Sequence, residues 1–207
     1  MKVKCTKCGA DILKITASIT GGQCMRCFKN IKPMRQQYEE EKAAFKVPPR
    51  PTLAEFKAFL AQHSDADIVD QITDRADNKA YYRPESLSVG EITVLTTNMF
   101  VGEVENGGVV QYFDNPCGRL AHHLAASFRR VGAHDFASLT EKAVATFTTS
   151  RDATSDQWSK DLAKYRASTE APFKDLEDEL WPILTVQKDA LFDMVVAYIK
   201  KSPGDFI

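Results

Sequence analysis

Four cysteines within the first 27 residues constrain this chain more than any other feature. Cys5-x2-Cys8 and Cys24-x2-Cys27 form two pairs with 15 residues between them. Two thiolates separated by two residues can enter one tetrahedral coordination sphere. Two such knuckles joined by a loop have the spacing of a structural zinc site. Gly9, directly after Cys8, permits the left-handed turn that aims backbone amides at sulfur. Four thiolates complete the sphere and leave no position for a catalytic water. A segment of about 30 residues buries too little apolar surface to fold unaided, so Zn2+ is expected to supply its folding energy. Disulfides or a redox pair are the alternatives for the same pattern. Between the knuckles, "ILKITASIT" is rich in β-branched residues and reads as strand, and Gly21-Gly22 turns the chain toward the second pair.

Charge divides the chain in the same place. Residues 1–50 carry +7 and residues 51–207 carry −8, which the overall −1 conceals. A basic head on an acidic body predicts two modules with different partners. The boundary is expected at "VPPRP", residues 47–51, which stops helix and stiffens the backbone. The expected organisation is a zinc ribbon over 1–30, a helical and proline-rich connector over 31–51, and a helical body over 52–207. No run approaches the roughly 20 apolar residues of a membrane span, and "MKVKCTKCG" lacks the apolar stretch of a secretory signal. A cytoplasmic location follows as the expectation.

The body reads as helix almost throughout, so the fold class is mainly α with a small N-terminal β ribbon. Thr52 with Glu55 and Ser88 with Glu91 are capping boxes. Helices are expected at 31–46 after Pro33, 52–60, 65–79, 88–104, 118–131, 134–148, 155–167, 170–180 and 185–200, with Pro182 separating the last two. Ile68, Ile72 and Ala76 give the 65–79 helix an apolar face.

"ENGGVVQYFDN", residues 105–115, interrupts this pattern. Asn106 and Gly107 suit a left-handed helix end, and Gly108 allows close backbone packing. Val109, Tyr112 and Phe113 point to the core, while Gln111 and Asn115 share a side from which their amides can bond loop backbone. No nucleophile and base adjoin here. A Glu105–Asp114 carboxylate pair is the catalytic alternative, with His122 as a further candidate. His122 and His123, adjacent on a helix, are expected to diverge, and Cys117 reads as a buried thiol.

"VGEVENGGVVQYFDNPCG", followed by "FRRVGAHDFASLTEKAVATF", resembles the bacterial DNA-mimic protein family. The matching residues are Glu105, Asn106, Gly107, Gly108, Gln111, Tyr112, Phe113, Asn115, Val131, Gly132 and Ala133, within a resemblance covering about 55–200. It implies an all-helical, non-enzymatic, dimeric protein whose acidic surface imitates DNA phosphates and occupies a DNA-binding protein. Related domains look like toxin-immunity proteins, which makes a nuclease toxin the other implied partner. The cysteine segment lies outside this resemblance and is similar instead to the zinc ribbons that head many bacterial proteins.

Mimicry requires ordered carboxylates. Asp67, Asp70, Asp74 and Asp77 follow i, i+3, i+7, i+10, along one helix face at about 4.5–6 Å axial spacing. Asp175, Glu177, Asp178 and Glu179 form a second acidic cluster, from which Asp175 and Asp178 are the candidate contacts. A solvated helix face is the ordinary reading of either group. The reading that follows is a protein that sequesters another protein through its acidic body. One alternative is a regulator that binds nucleic acid through Lys2, Lys4, Lys7, Lys14, Arg26, Lys29, Lys32 and Arg35 of the head. A hydrolase of unspecified type is the other.

Overall fold

Ser88 and Glu91 start the helix around which the body is built. The Glu91 backbone N–H donates to the Ser88 hydroxyl at 3.2 Å, and the Ser88 N–H donates to the Glu91 carboxylate at 2.9 Å, so two orphan donors are satisfied reciprocally. The computed structural model describes residues 2–29, 32, 34–147, 163 and 173–207. They fall into two compact units, Met1–Lys46 and Val47–Ile207.

The first unit begins with an antiparallel hairpin, β1 (Lys2–Lys4) and β2 (Asp11–Leu13), in which Lys2 faces Leu13, Val3 faces Ile12 and Lys4 faces Asp11. The β-branched run does not continue as strand. Lys14–Ile19 is helical (α1). With Leu13 already opposite Lys2, the next residues have no paired strand among the described residues, and they close their hydrogen bonds locally. The Thr20 hydroxyl donates to the Thr16 carbonyl at 2.7 Å, and that of Ser18 to the Ile15 carbonyl at 2.8 Å. Two short elements follow, α2 (Met25–Phe28) and α3 (Met34–Ala44).

The second unit is helical. It holds α4 (Leu53–Gln62), α5 (Asp65–Tyr82), α6 (Val89–Asp114), α7 (Leu124–Val131), α8 (His134–Phe147) and α9 (Lys174–Lys201), with 3-10 turns at Pro84–Ser86, Pro116–His123 and Pro203–Phe206. The Thr52–Glu55 box caps α4. Helix α6 runs through the core. Val94, Phe100 and Val104 from its first half, and Val109, Tyr112 and Phe113 from its second, are buried among Leu124 and Phe128 of α7, Phe136 of α8, and Leu180, Leu184 and Ile199 of α9. The rings interlock edge to face, Phe100 on Tyr112 at 5.3 Å and on Phe128 at 5.7 Å. At the other end Phe206 stacks on Phe56 at 4.8 Å and lies so close to Gly90 that a Cβ there would meet its ring at 2.7 Å. Gly132, at φ 91°, ends α7, and the Ala133 N–H donates to the Phe128 carbonyl at 2.8 Å.

Two expected boundaries are absent. Pro182 does not separate two helices, because α9 passes through it. Proline removes one backbone donor and crowds one carbonyl. Here the continuous buried stripe of Leu176, Leu180, Leu184, Leu191 and Val195 outweighs that local loss. The 118–131 helix is also shorter than expected, since Pro116–His123 is a 3-10 segment and only Leu124–Val131 is α. The helix expected at 155–167 lies, but for residue 163, outside the described residues.

A polar group sits inside the apolar layer between α5 and α6. Lys79 and Glu91 are both 1% exposed, and the Lys79 ammonium donates to both carboxylate oxygens at 2.9 and 3.1 Å. Arg75 Nε lies 3.1 Å from the same carboxylate. Burial alone would raise the Glu91 pKa, but the Lys79 and Ser88 hydrogen bonds and the two nearby cations outweigh it and hold it below the usual 4.5. Among the described residues, a carboxyl depressed in this way contributes stability that is complete above pH 4.5 and lost as pH falls through the lower folded value. Glu91→Ala is therefore expected to lower unfolding free energy by about 3–5 kcal/mol, because it strands a buried ammonium. Urea unfolding checks this, and acidification below pH 4.5 should weaken the unmodified protein more than Glu91→Gln.

Candidate functional site

In the first unit the hairpin and α2 bring the two cysteine pairs together. The Sγ atoms of Cys5, Cys8, Cys24 and Cys27 all lie within 4.8 Å of one another, and those of Cys8 and Cys24 are 3.7 Å apart. A tetrahedron with Zn–S of about 2.3 Å requires sulfurs about 3.8 Å apart, so donor set and spacing fit zinc. All five cysteines of the chain are free of disulfides. Gly9 takes φ 73°, as the first knuckle requires, and its N–H donates to the Cys5 carbonyl at 3.0 Å. Cys24 caps α2, so the second knuckle is also a helix start.

Backbone donors converge on these sulfurs. The Cys24 N–H donates to Cys5 Sγ at 3.2 Å, and the Cys27 N–H to Cys24 Sγ at 3.4 Å. The Cys24 N–H, followed by that of Cys8, holds the Cys5 thiol down to about 6, while the Cys24 side chain pushes Cys27 up to about 12. Four thiols this close cannot all ionise unless a cation joins them.

In the second unit the glycine stretch is a break inside α6. Gly107 has φ −165°, ψ 24° and Gly108 has φ 80°, ψ −177°. The left-handed position is thus Gly108, not Asn106 or Gly107, and the helix resumes at once. Two carboxylates repair the break. The Val109 N–H, released by the kink, donates to Glu177 of α9 at 2.8 Å. Gln111 and Asn115 do share a side, but they do not bond loop backbone. Both amides donate to Glu103, at 2.8 and 2.6 Å. The packing explains both glycines. A Cβ on Gly107 would overlap the Gln111 side-chain amide, and one on Gly108 would overlap the Glu177 carboxylate. Asn106 lies exposed at the turn.

One residue of the catalytic alternative is engaged elsewhere. Glu105 is ion-paired with Lys188 at 2.6 and 2.8 Å. His122 and His123 do not diverge. On the 3-10 segment, which turns more tightly than an α-helix, their ring centroids are 3.9 Å apart. Cys117 is half-buried and donates to the Tyr112 carbonyl at 3.5 Å, and burial followed by Glu103 pushes its thiol up to about 12.

Asp67, Asp70, Asp74 and Asp77 are all exposed, on the side of α5 opposite the buried Ile68, Val69, Ile72 and Ala76. Asp67 also accepts from the Ser64 hydroxyl at 2.6 Å, as part of the helix cap. The second cluster is largely engaged. Glu177 holds Val109, Asp178 pairs with Lys174 at 2.5 Å and Glu179 with Lys142 at 2.6 Å. Asp175 is exposed in the first turn of α9.

The model of the DMP19-like protein family matches residues 85–202. The chain belongs to the DMP19-like protein family. No curated protein and no solved structure matches it. The matched residues take in the kinked helix and the C-terminal helices, and the α5 carboxylates precede them. Among the described residues, no helix is long and apolar enough to cross a membrane.

Glu103 and Lys79 were not among the expected residues, and Glu177 was expected only as part of an acidic cluster, not as the acceptor at the helix break. Lys79 had a signal, since it continues the Ile68, Ile72, Ala76 stripe three residues on. Glu103 and Glu177 had none, because their partners are defined by a kink and by a distant helix. Gly108→Ala is expected to cost about 1–3 kcal/mol, from strain at positive φ and displacement of the Glu177 carboxylate. Denaturant midpoints check this, and Gly102→Ala, with open space around it, is the control.

Proposed function

We propose that this is a non-enzymatic protein that occupies the basic, DNA-binding surface of another protein through its acidic helical body, with the four-cysteine head held by structural zinc. The observation that carries the reading is the α5 row, whose four aspartates are all exposed on one face while the opposite face is buried. From Asp67 to Asp77 the row extends about 15 Å along the axis, at 1.5 Å per residue. A rigid line of carboxylates at that spacing presents Arg and Lys side chains with charges placed much as phosphates are, and it steers a basic partner toward encounter. DMP19-like membership supports the same class of activity. The partner is a DNA-binding protein or a nuclease toxin, and the body acts as a monomer or a homodimer.

Asp70→Asn/Asp74→Asn/Asp77→Asn tests the row and spares Asp67, which serves the α5 cap. The unmodified chain should capture a stoichiometric basic partner from its host, and the triple variant should lose it by about tenfold or more with an unchanged melting temperature. Capture of no partner by folded protein, or equal capture by the variant, refutes the proposal.

For the head, metal analysis under reducing conditions should find one zinc per chain. Cys24→Ser should abolish it and unfold residues 1–30 while leaving the melting of the body unchanged. A metal-free but folded head would refute that part.

A second reading rests on the exposure of Lys2, Lys7, Lys14, Arg26 and Lys29 around the cysteines. It predicts nucleic-acid binding by the full chain that weakens steeply as salt rises, and a mobility-shift titration would read it.

A further inference from the structure

A cleft of about 350 Å3 opens between α5, the Pro84–Ser86 turn, α6 and the Pro116–His123 segment. Leu87, Ile92, Leu95 and Leu120 give it apolar surface, and Ala80 lies on its α5 side. Its volume is at the lower end for small-molecule sites, which suits one compact ring system. Its polar lining is Asp77, Glu85, Cys117, Arg119, His122 and His123, of which an acid, a thiol and an imidazole are shifted from their ordinary pKa values.

These three groups are displaced in one sense. Partial desolvation at the rim of the cleft, aided by Asp74 and opposed by Arg119, raises Asp77, although its surface is largely exposed. Burial pushes Cys117 up to about 12, and it pushes His123 down to about 4, helped by His122 and Arg130. Burial is the leading cause each time, and each group moves toward its neutral form. Walls that disfavour their own charges disfavour a charged ligand in the same way. The one strong cation among the lining groups is already engaged, since the Arg119 guanidinium lies 5.7 Å from the centre of the Tyr81 ring. Tyr81, Pro84, Pro116, His122 and His123 also line the cleft, and this ring surface suits a planar guest.

We propose that this cleft binds a neutral, planar aromatic small molecule of about the size of two fused rings, seated against Leu87, Ile92, Leu95 and Leu120. The site uses no residue of the metal cluster. It meets the acidic row only at Asp77, so it stands or falls separately from capture of a protein partner.

Indole is the probe. Titrated into the full chain and followed by amide NMR, it should bind saturably at one site, with shifts concentrated at residues 80–95 and 116–123. Benzoate, a ring bearing a charge, should bind at least about tenfold more weakly. Ala80→Trp and Leu120→Trp fill the cleft from α5 and from the 3-10 segment. Whichever keeps the native circular dichroism should bind indole at least about tenfold more weakly than the unmodified protein. Shifts that never saturate, or that scatter over the surface, overturn the proposal. So does benzoate binding as tightly as indole, or a folded variant that binds like the unmodified chain. The mapping in unmodified protein decides the matter even where neither tryptophan variant folds.

Discussion

A buried helix cannot change direction without freeing backbone donors, and a freed donor in an apolar core needs a partner. The body of this protein is organised around that constraint. At Gly107 and Gly108 the ladder of α6 breaks, and the carboxylate of Glu177 accepts the amide released at Val109. Glu103 meanwhile ties the segment after the break to the one before it, through Gln111 and Asn115. With the direction fixed, Tyr112 and Phe113 enter the core, the 3-10 segment can double back toward α5, and α7 and α8 close over Phe100 and Phe128. The motif that most resembles an active-site loop is therefore a repaired fracture in the central helix.

Much of the architecture was legible because it is written in local chemistry. Capping boxes marked the starts of α4 and α6, periodicity separated the faces of α5, and cysteine spacing located the cluster. The failures share a physical origin. The run after Leu13 has the side chains of a strand, but strand pairing is decided by what lies alongside, which a linear pattern does not carry. Pro182 argues for a break by its own geometry, yet the buried leucines on either side hold α9 through it. Gln111 and Asn115 were recognised as neighbours, but their shared partner lies across a kink, eight and twelve residues away, too far along an unbroken helix for the side chains to meet.

Acidic residues in this chain serve different ends that composition cannot separate. Glu91 neutralises a buried ammonium, Glu103 and Glu177 mend backbone geometry, and Asp67 helps to start a helix. Asp178 and Glu179 pair with lysines on the surface. The net charge of the body is therefore a poor guide to the field it projects. Much of it is consumed by the fold, and the ordered carboxylates of α5 stand out against that background.

The bond between Lys79 and Glu91 bears on those same carboxylates. Rotating α5 against α6, or sliding it so that Lys79 leaves Glu91, would strand a buried ammonium in hydrocarbon, whereas a purely aliphatic seam would tolerate the slip. The pair thus acts as an index pin. It fixes the rotation and axial register of the helix that bears the aspartates, and whatever approaches that face meets the same spatial pattern in every molecule.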